Sequence, residues 1–290
     1  MKKTILVLSF LFIANNVLAG SFLVSTDWLA KNMNKPEIVL IDMSDNLQYQ
    51  RFHLPGAINL PYHDINKKVK GVSLSIGQSQ LVKLLGLIGI NASSHVVIYD
   101  DTGGLHAARL LWELDQLGHS KVSILDGGLV KWIRENRKVS AAVPKPRPTS
   151  YKPAKTGNAA TATLDTINTA VKSKNALMLD VRTEEEYLGS PKHKRSGHIP
   201  GAHWWEWDQG VNFDAGFVMQ DRNKLLDSLG KAGLKDKKQN VIVYCRSGHR
   251  ASSAYLTLRE LGFENVKLYD GSMKEYAQQK NLPLKMGKEP

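Results

Sequence analysis

The chain has 290 residues, enough for one large or two ordinary domains. Its 42% hydrophobic and 23% charged composition excludes a disordered or fibrous protein, and a formal net charge of +12 marks a basic one. The lysines fall in short runs (Lys67-Lys68, residues 192–195 and 235–238) with little aromatic interleaving, a solvated basic surface that also attracts small anions.

Met1-Lys2-Lys3, a mostly apolar stretch over residues 5–13 and Val17-Leu18-Ala19 have the layout of a secretory signal peptide, with cleavage expected after Ala19. The apolar run is too short, and too soon interrupted by Asn15-Asn16, to span a bilayer. Nowhere else do about 18 apolar residues run together, so no stable membrane insertion is expected. Gly20 after the cleavage site, in place of a cysteine, argues against a lipid anchor. The expected address is the bacterial periplasm, which weighs against nucleic acid as a partner. Cys245 is the only cysteine, so an intrachain disulfide is excluded. The nine histidines have no ligand-like spacing with it, so neither a metal nor another cofactor is expected.

In chain order, Ser25-Thr26-Asp27-Trp28-Leu29-Ala30 reads as a capped helix start. Ile38-Val39-Leu40-Ile41-Asp42 is a strand ending in a carboxylate, and His53-Leu54-Pro55-Gly56-Ala57-Ile58-Asn59 is a turn into a second short strand. A helix is expected over residues 81–87, a buried strand at Val96-Val97-Ile98-Tyr99, and a helix over 104–117 from the spacing of Leu105, Ala108, Leu111, Trp112 and Leu114. Val122-Ser123-Ile124-Leu125 is a strand, Asp126-Gly127-Gly128 a turn, and a last helix begins at Leu129. From residue 137 to about 156, Pro144, Pro146, Pro148 and Pro153 stand among scattered Lys and Arg with no apolar periodicity, which predicts a semi-rigid extended linker.

After the linker the same order begins again. Val39-Leu40-Ile41-Asp42 matches Leu177-Met178-Leu179-Asp180, and His53-Leu54-Pro55-Gly56-Ala57 matches His198-Ile199-Pro200-Gly201-Ala202. Val96-Val97-Ile98-Tyr99-Asp100 matches Val241-Ile242-Val243-Tyr244-Cys245, and Leu125-Asp126-Gly127-Gly128 matches Tyr269-Asp270-Gly271-Ser272. The last three offsets are 145, 145 and 144 residues and the first is 138, which puts a seven-residue insertion in the second copy within residues 184–197. The expected division is a signal peptide over 1–19, a first domain over 20–138, a linker over 139–160 and a second domain over 161–290. Each domain is an α/β fold, a mostly parallel sheet flanked by helices, with ligands expected at the carboxyl ends of its strands.

Cys245 falls at such an end. A buried strand runs into Cys245-Arg246-Ser247-Gly248-His249-Arg250 and then into a helix. A thiol there meets a ring of backbone N–H groups and the positive end of a helix, both of which favour the nucleophilic thiolate.

The motifs Leu179-Asp180-Val181-Arg182-Thr183-Glu184-Glu185-Glu186-Tyr187, Gly197-His198-Ile199-Pro200-Gly201-Ala202, the 245–250 loop and Tyr269-Asp270-Gly271-Ser272 resemble the rhodanese family of sulfurtransferases in its tandem two-domain form. The resemblance runs from about residue 22 to 286. It implies that Cys245 takes a sulfane sulfur from a small anionic donor, holds it as a persulfide and passes it to cyanide, a thiol or a thiol-containing acceptor protein. It makes Arg246, Ser247, Gly248, His249 and Arg250 the substrate-binding residues. Asp100 stands where the first domain would need its cysteine, so that domain is expected to wall the site without taking part in the chemistry.

The donor stays open between thiosulfate and 3-mercaptopyruvate. Arg246 resembles the thiosulfate-using members, whereas Ser247 would suit the serine–histidine–aspartate arrangement of mercaptopyruvate users. The segment that should bring that histidine, Lys70-Gly71-Val72-Ser73-Leu74, has none. Glu186 departs from the anion-binding arginine usual in tandem members, and Met273 from the tryptophan expected after Ser272. Arg250, His249 and residues 192–195 are expected to substitute as anion contacts. Arg182 is expected to pair with Glu185 or Glu186, Asp42 and Asp180 to accept loop N–H groups, and His53 and His198 to fix their turns. Trp204, Trp205 and Trp207 are expected in the interdomain cleft, in the core or at its rim.

A cysteine-loop phosphatase or arsenate reductase is the enzymatic rival. Cys245 to Arg250 is a Cys-x4-Arg spacing, however, tighter than the Cys-x5-Arg cradle for phosphate. A non-catalytic binding module is the other rival, and the intact Cys245 loop weighs against it.

Overall fold

The computed structural model describes residues 21–157 and 159–290; the expected signal peptide lies outside the described residues. Two five-stranded sheets form, and every pairing within them is parallel. The first sheet has the spatial order Leu23–Val24, Val122–Leu125, His95–Tyr99, Ile38–Asp42, Ile58–Asn59. The second repeats it with Thr161–Ala162, Asn265–Tyr269, Asn240–Tyr244, Leu177–Asp180 and Ala202–Trp204. After their first residues, His95 and Asn240, the central strands are apolar because both faces are covered.

Side chains alternate between those faces with period two. Val97 and Tyr99 point into a core private to the first domain, with Leu29, Leu54 and Trp132. Ile242 and Tyr244 do the same in the second, with Ile167, Met178 and Tyr276. The opposite set, Val96 and Ile98 in one domain and Val241, Val243 and Cys245 in the other, belongs to a single core shared by both domains. Helices Ala107–Gln116 and His249–Glu260 pack against each other inside that shared core. Pairing parity therefore turns Cys245 toward the partner domain.

The linker is extended and tied along the first domain. Ser140 exchanges backbone hydrogen bonds of 2.8 Å with His53, Thr149 N–H donates to Gly86 (2.8 Å), and Ala154 and Lys155 donate to Leu117. His53 stacks on Tyr49 and its ring nitrogens face the carbonyls of Tyr49 and Ala142; His198 repeats this with Tyr187 and Glu289. Both histidines thus fix their turns and hold a following segment down.

Each domain also lends a small hairpin to the other. Ser75, ending the hairpin of Asn66–Val69 with Val72–Ser75, donates its N–H to Asp270 (2.8 Å). Met219, ending Val211–Asn212 with Val218–Met219, donates to Asp126 (2.7 Å). The two aspartates are twins in the repeat, so the interface has pseudo-twofold character. Among the described residues, no helix is long and apolar enough to cross a membrane.

Candidate active site

Cys245 directly follows the central strand of the second sheet, Asn240–Tyr244, and is 1% exposed. Gly248 follows in the left-handed region (φ 79°) and caps the helix His249–Glu260. The loop is held from beneath by the Tyr269-Asp270-Gly271-Ser272 turn. Ser272 Oγ accepts the N–H groups of Cys245 (3.2 Å) and Gly248 (3.0 Å) while donating to the Tyr269 carbonyl (2.7 Å). Met273 and Lys274 then donate backbone N–H groups to the carbonyls of Cys245 and Arg246. The N–H groups of Arg246, Ser247, His249, Arg250 and Ala251 meet no protein acceptor among the described residues. A curved row of donors at a helix start is an anion cradle.

The first domain contains the same cradle, filled. Asp100 sits where Cys245 does, and its carboxylate accepts from Thr102 (2.9 Å) and Gly104 (2.8 Å) through Oδ1, and from His106 (2.7 Å) and Ala107 (2.9 Å) through Oδ2. His106 and Ala107 are the repeat twins of Arg250 and Ala251.

The predicted substrate-binding side chains divide. Arg246 is exposed and reaches solvent at the mouth. His249 is stacked on Tyr62 of the first domain at 3.9 Å between ring centroids, with His106 behind it at 4.9 Å. Burial, and then the positive surroundings of His106, Arg109 and Arg250, push the His249 imidazole down to about 3, so it is neutral at physiological pH. Tyr62 is pushed up to about 12, chiefly by burial, with Arg109 opposing and Cys245 and Asp270 adding to the rise. Arg250 is gripped at both ends of its fork by Glu186, Nη1 to Oε2 at 2.7 Å and Nη2 to Oε1 at 3.0 Å. Burial works against the Arg250 charge, and the Glu186 hydrogen bonds and the Cys245 charge more than offset it.

Two expectations need correcting. Arg182 pairs with Asp180, not with Glu185 or Glu186, because its backbone places Nε 2.9 Å from Asp180 Oδ1, and it also donates to Gly197. Of residues 192–195, Arg195 cannot serve as an anion contact. Its guanidinium is spent on the carbonyls of Ala277, Gln279 and Leu282, and Lys192 and Lys194 point to solvent. Of the alternatives for the tryptophans, the structure has core packing for Trp205 and Trp207. Trp205 is a core residue bonded to Ser228, Trp204 donates to the Arg182 carbonyl, and Trp207 packs on the shared core.

A model of the rhodanese-like domain matches residues 25–135 and again 163–279. The chain belongs to the rhodanese family. This rhodanese is 36% identical over 278 residues to a Mycobacterium bovis protein named "Putative thiosulfate sulfurtransferase 1", covering 91% of this chain and 98% of that one. It is 31% identical over 283 residues to the sulfur carrier protein TtuD of Thermus thermophilus, covering 92% and 97%. Among solved structures it is similar to SseA from Escherichia coli, a 3-mercaptopyruvate sulfotransferase, with a TM-score of 0.78, 26% identity and coverage of 87% and 99%. It is a sulfurtransferase of the tandem two-domain form.

Residues that sequence reasoning passed over complete the site of this rhodanese. Arg109, fully buried on the first domain's interface helix, donates to Asp270 Oδ1 (2.6 Å), with Glu113 3.6 Å away. Asp270 thereby takes Arg109 and Ser75 from one domain while its turn carries Ser272 under the Cys245 loop. The available signal was a pair of charges four residues apart on a helix otherwise read as apolar. A cavity of about 950 Å³, lined by Asn240, Asn265 and Arg259 among others, opens at the amino ends of the second sheet, the far end from Cys245.

Proposed function

We propose that this rhodanese moves sulfur through a persulfide on Cys245, from a small anionic donor, thiosulfate or 3-mercaptopyruvate, to a thiol or cyanide. The observation that supports it is the pair of cradles. In the first domain four N–H groups converge on the Asp100 carboxylate; in the second, Gly248 gives its N–H to Ser272 and the other equivalent donors surround a thiol with no protein acceptor. With thiosulfate, the Cys245 thiolate attacks the outer sulfur, the donor S–S bond breaks and sulfite leaves with the electron pair. The Cys–S–S⁻ terminus is then held by the donors of the 246–251 backbone. An acceptor thiolate or cyanide attacks that outer sulfur, the persulfide bond breaks and the thiolate returns. Arg246 stands at the mouth for the incoming anion, Ser247 and Gly248 allow the tight curve of the loop, and neutral His249 walls the site with Tyr62.

The likeness to SseA favours 3-mercaptopyruvate as the second donor. Intact-mass spectrometry after exposure to either donor is expected to show a gain of about 32 Da that cyanide removes and Cys245→Ser lacks. No adduct with any donor would overturn the mechanism, and robust hydrolysis of p-nitrophenyl phosphate would assign the cradle to phosphate instead. We also propose that residues 1–19 direct export to the periplasm, where a thiol-containing protein is the acceptor. Recovery of the uncleaved chain only in the cytoplasmic fraction would refute that address.

A further inference from the structure

We propose that Glu186 sets the donor preference of this site by occupying the loop arginine, so that donors carrying one negative charge are favoured over dianionic thiosulfate. The inference rests on sulfur transfer at Cys245. Arg246 is exposed at the mouth; Arg250 is the half-buried guanidinium of the loop, and both of its Nη atoms are already on the Glu186 carboxylate. Bidentate pairing uses the geometry that an oxyanion donor would need.

Glu186 is not a mobile surface acid. It stands at the third position of helix Glu184–Leu188 and closes a capping box with Thr183, accepting that residue's N–H and hydroxyl. More negative charge surrounds it. Glu206 is held above its ordinary range by burial and then by Asp208, with Arg250 lowering it and Glu186 raising it again, so a second carboxylate faces the same guanidinium.

The neighbouring guanidinium groups are committed as well. Arg182 is on Asp180, Arg195 is on three backbone carbonyls, and Arg109 is on Asp270. A dianion entering beside Cys245 therefore meets backbone donors, an arginine that is already neutralised and repulsion from Glu186 and Glu206. A donor with one charge, which Arg246 can meet at the mouth, escapes most of that repulsion.

The test compares steady-state kcat and KM for thiosulfate and 3-mercaptopyruvate in the wild type, Glu186→Gln and the double variant Glu186→Gln/Arg250→Gln. Glutamine keeps the capping box, so the helix start survives while the negative charge is removed. The thiosulfate KM is expected to fall about tenfold in Glu186→Gln, the mercaptopyruvate KM to fall by about threefold or less, and the double variant to lose the gain. The thiosulfate gain should shrink at high salt. A thiosulfate KM that is unchanged or raised in Glu186→Gln, with the Cys245 adduct still forming, overturns this inference alone. Absence of the adduct in wild type and variants with both donors overturns the persulfide reading and this inference with it.

Discussion

Asp100 and Cys245 occupy one position in two copies of one fold, and the frame around them is shared. Leu129 donates to the Asp100 carbonyl at 2.9 Å as Met273 does to that of Cys245 at 3.1 Å. The Tyr99 and Tyr244 hydroxyls accept the N–H groups of Leu54 and Ile199 in the same way. What differs is the anion. The first loop satisfies four donors with its own carboxylate and has no nucleophile; the second ties the Gly248 N–H to Ser272 and leaves the others to whatever the thiol acquires. A loop that completes its own hydrogen bonding is a structural element, and one that leaves them open can do chemistry. The sharpest way to break this comparison is to empty the first cradle. Asp100→Ala strips one acceptor from four N–H groups around a buried carboxylate and should cost about 4 kcal/mol in denaturant melts. Cys245→Ala removes a small apolar group and should cost about 1 kcal/mol while abolishing the persulfide. Equal costs at the two positions would mean that the first cradle is not held by its carboxylate.

The two interface helices differ in the same sense. On Ala107–Gln116 the inward positions are Arg109 and Glu113; on His249–Glu260 the twins are Ser253 and Thr257, and all four are buried. Of the two helices, only the first domain's brings buried charge into the shared core, where Asp270 of the second domain meets it. Burial raises the Glu113 carboxyl to about 7, with Arg109 and Ser75 holding it down and Asp270 adding to the rise. Unfolded, the same group titrates near its ordinary value of about 4.3. Between the two values the folded chain carries a proton that the unfolded chain lacks, so stability falls as pH rises through that window. About 3 kcal/mol is expected to be lost between pH 4 and 8. Glu113→Gln keeps the neutral form at every pH and should flatten that part of the stability profile. Parallel profiles for the variant and the wild type would show that Glu113 folds ionised.

The strands, their order of appearance and the duplication were legible because each rests on local signals: β-branched runs, a Pro-Gly-Ala turn, a glycine turn after an aspartate. Cys245 was legible for the same reason, since strand, turn and helix start are contiguous in the chain. The partners that tune the site were not. Arg109 and Asp270 are 161 residues apart, Glu186 and Arg250 are 64, and Ser75 and Asp270 are 195. No periodicity relates such positions: two of the pairings are decided by how the domains dock, and that of Glu186 with Arg250 by how separate elements of the second domain pack. Arg182 was misassigned for a smaller reason. Helical proximity suggested Glu185 or Glu186, but Arg182 lies before the helix, where its side chain folds back on Asp180. Glu186 was recognised as a departure in sequence, and only the geometry showed that it takes the fork of Arg250.

The smallest expected effect distinguishes the two loops by a single carbon. Gly104 and Gly248 are twins, with φ of 83° and 79°, so alanine at either position pays the left-handed backbone cost of about 1 kcal/mol. At Gly104 an added Cβ would meet only Ile124 Cγ2, at 4.0 Å. At Gly248 it would lie 2.6 Å from Asp270 Oδ1, 2.9 Å from the Asp270 carbonyl oxygen and 3.2 Å from Arg109 Nη1. Asp270 cannot move aside freely, because it holds Arg109 and Ser75 across the interface and heads the turn that carries Ser272. Gly248→Ala should therefore cost about 2 kcal/mol, roughly twice Gly104→Ala, and should also lower the rate of adduct formation at Cys245. Gly104→Ala should leave that rate within about twofold of wild type, since its strain stays in the loop that carries no thiol. Equal loss of adduct formation in both variants would mean that the two loops are coupled through the packed helices, and that Asp270 is not what fixes the geometry of the second.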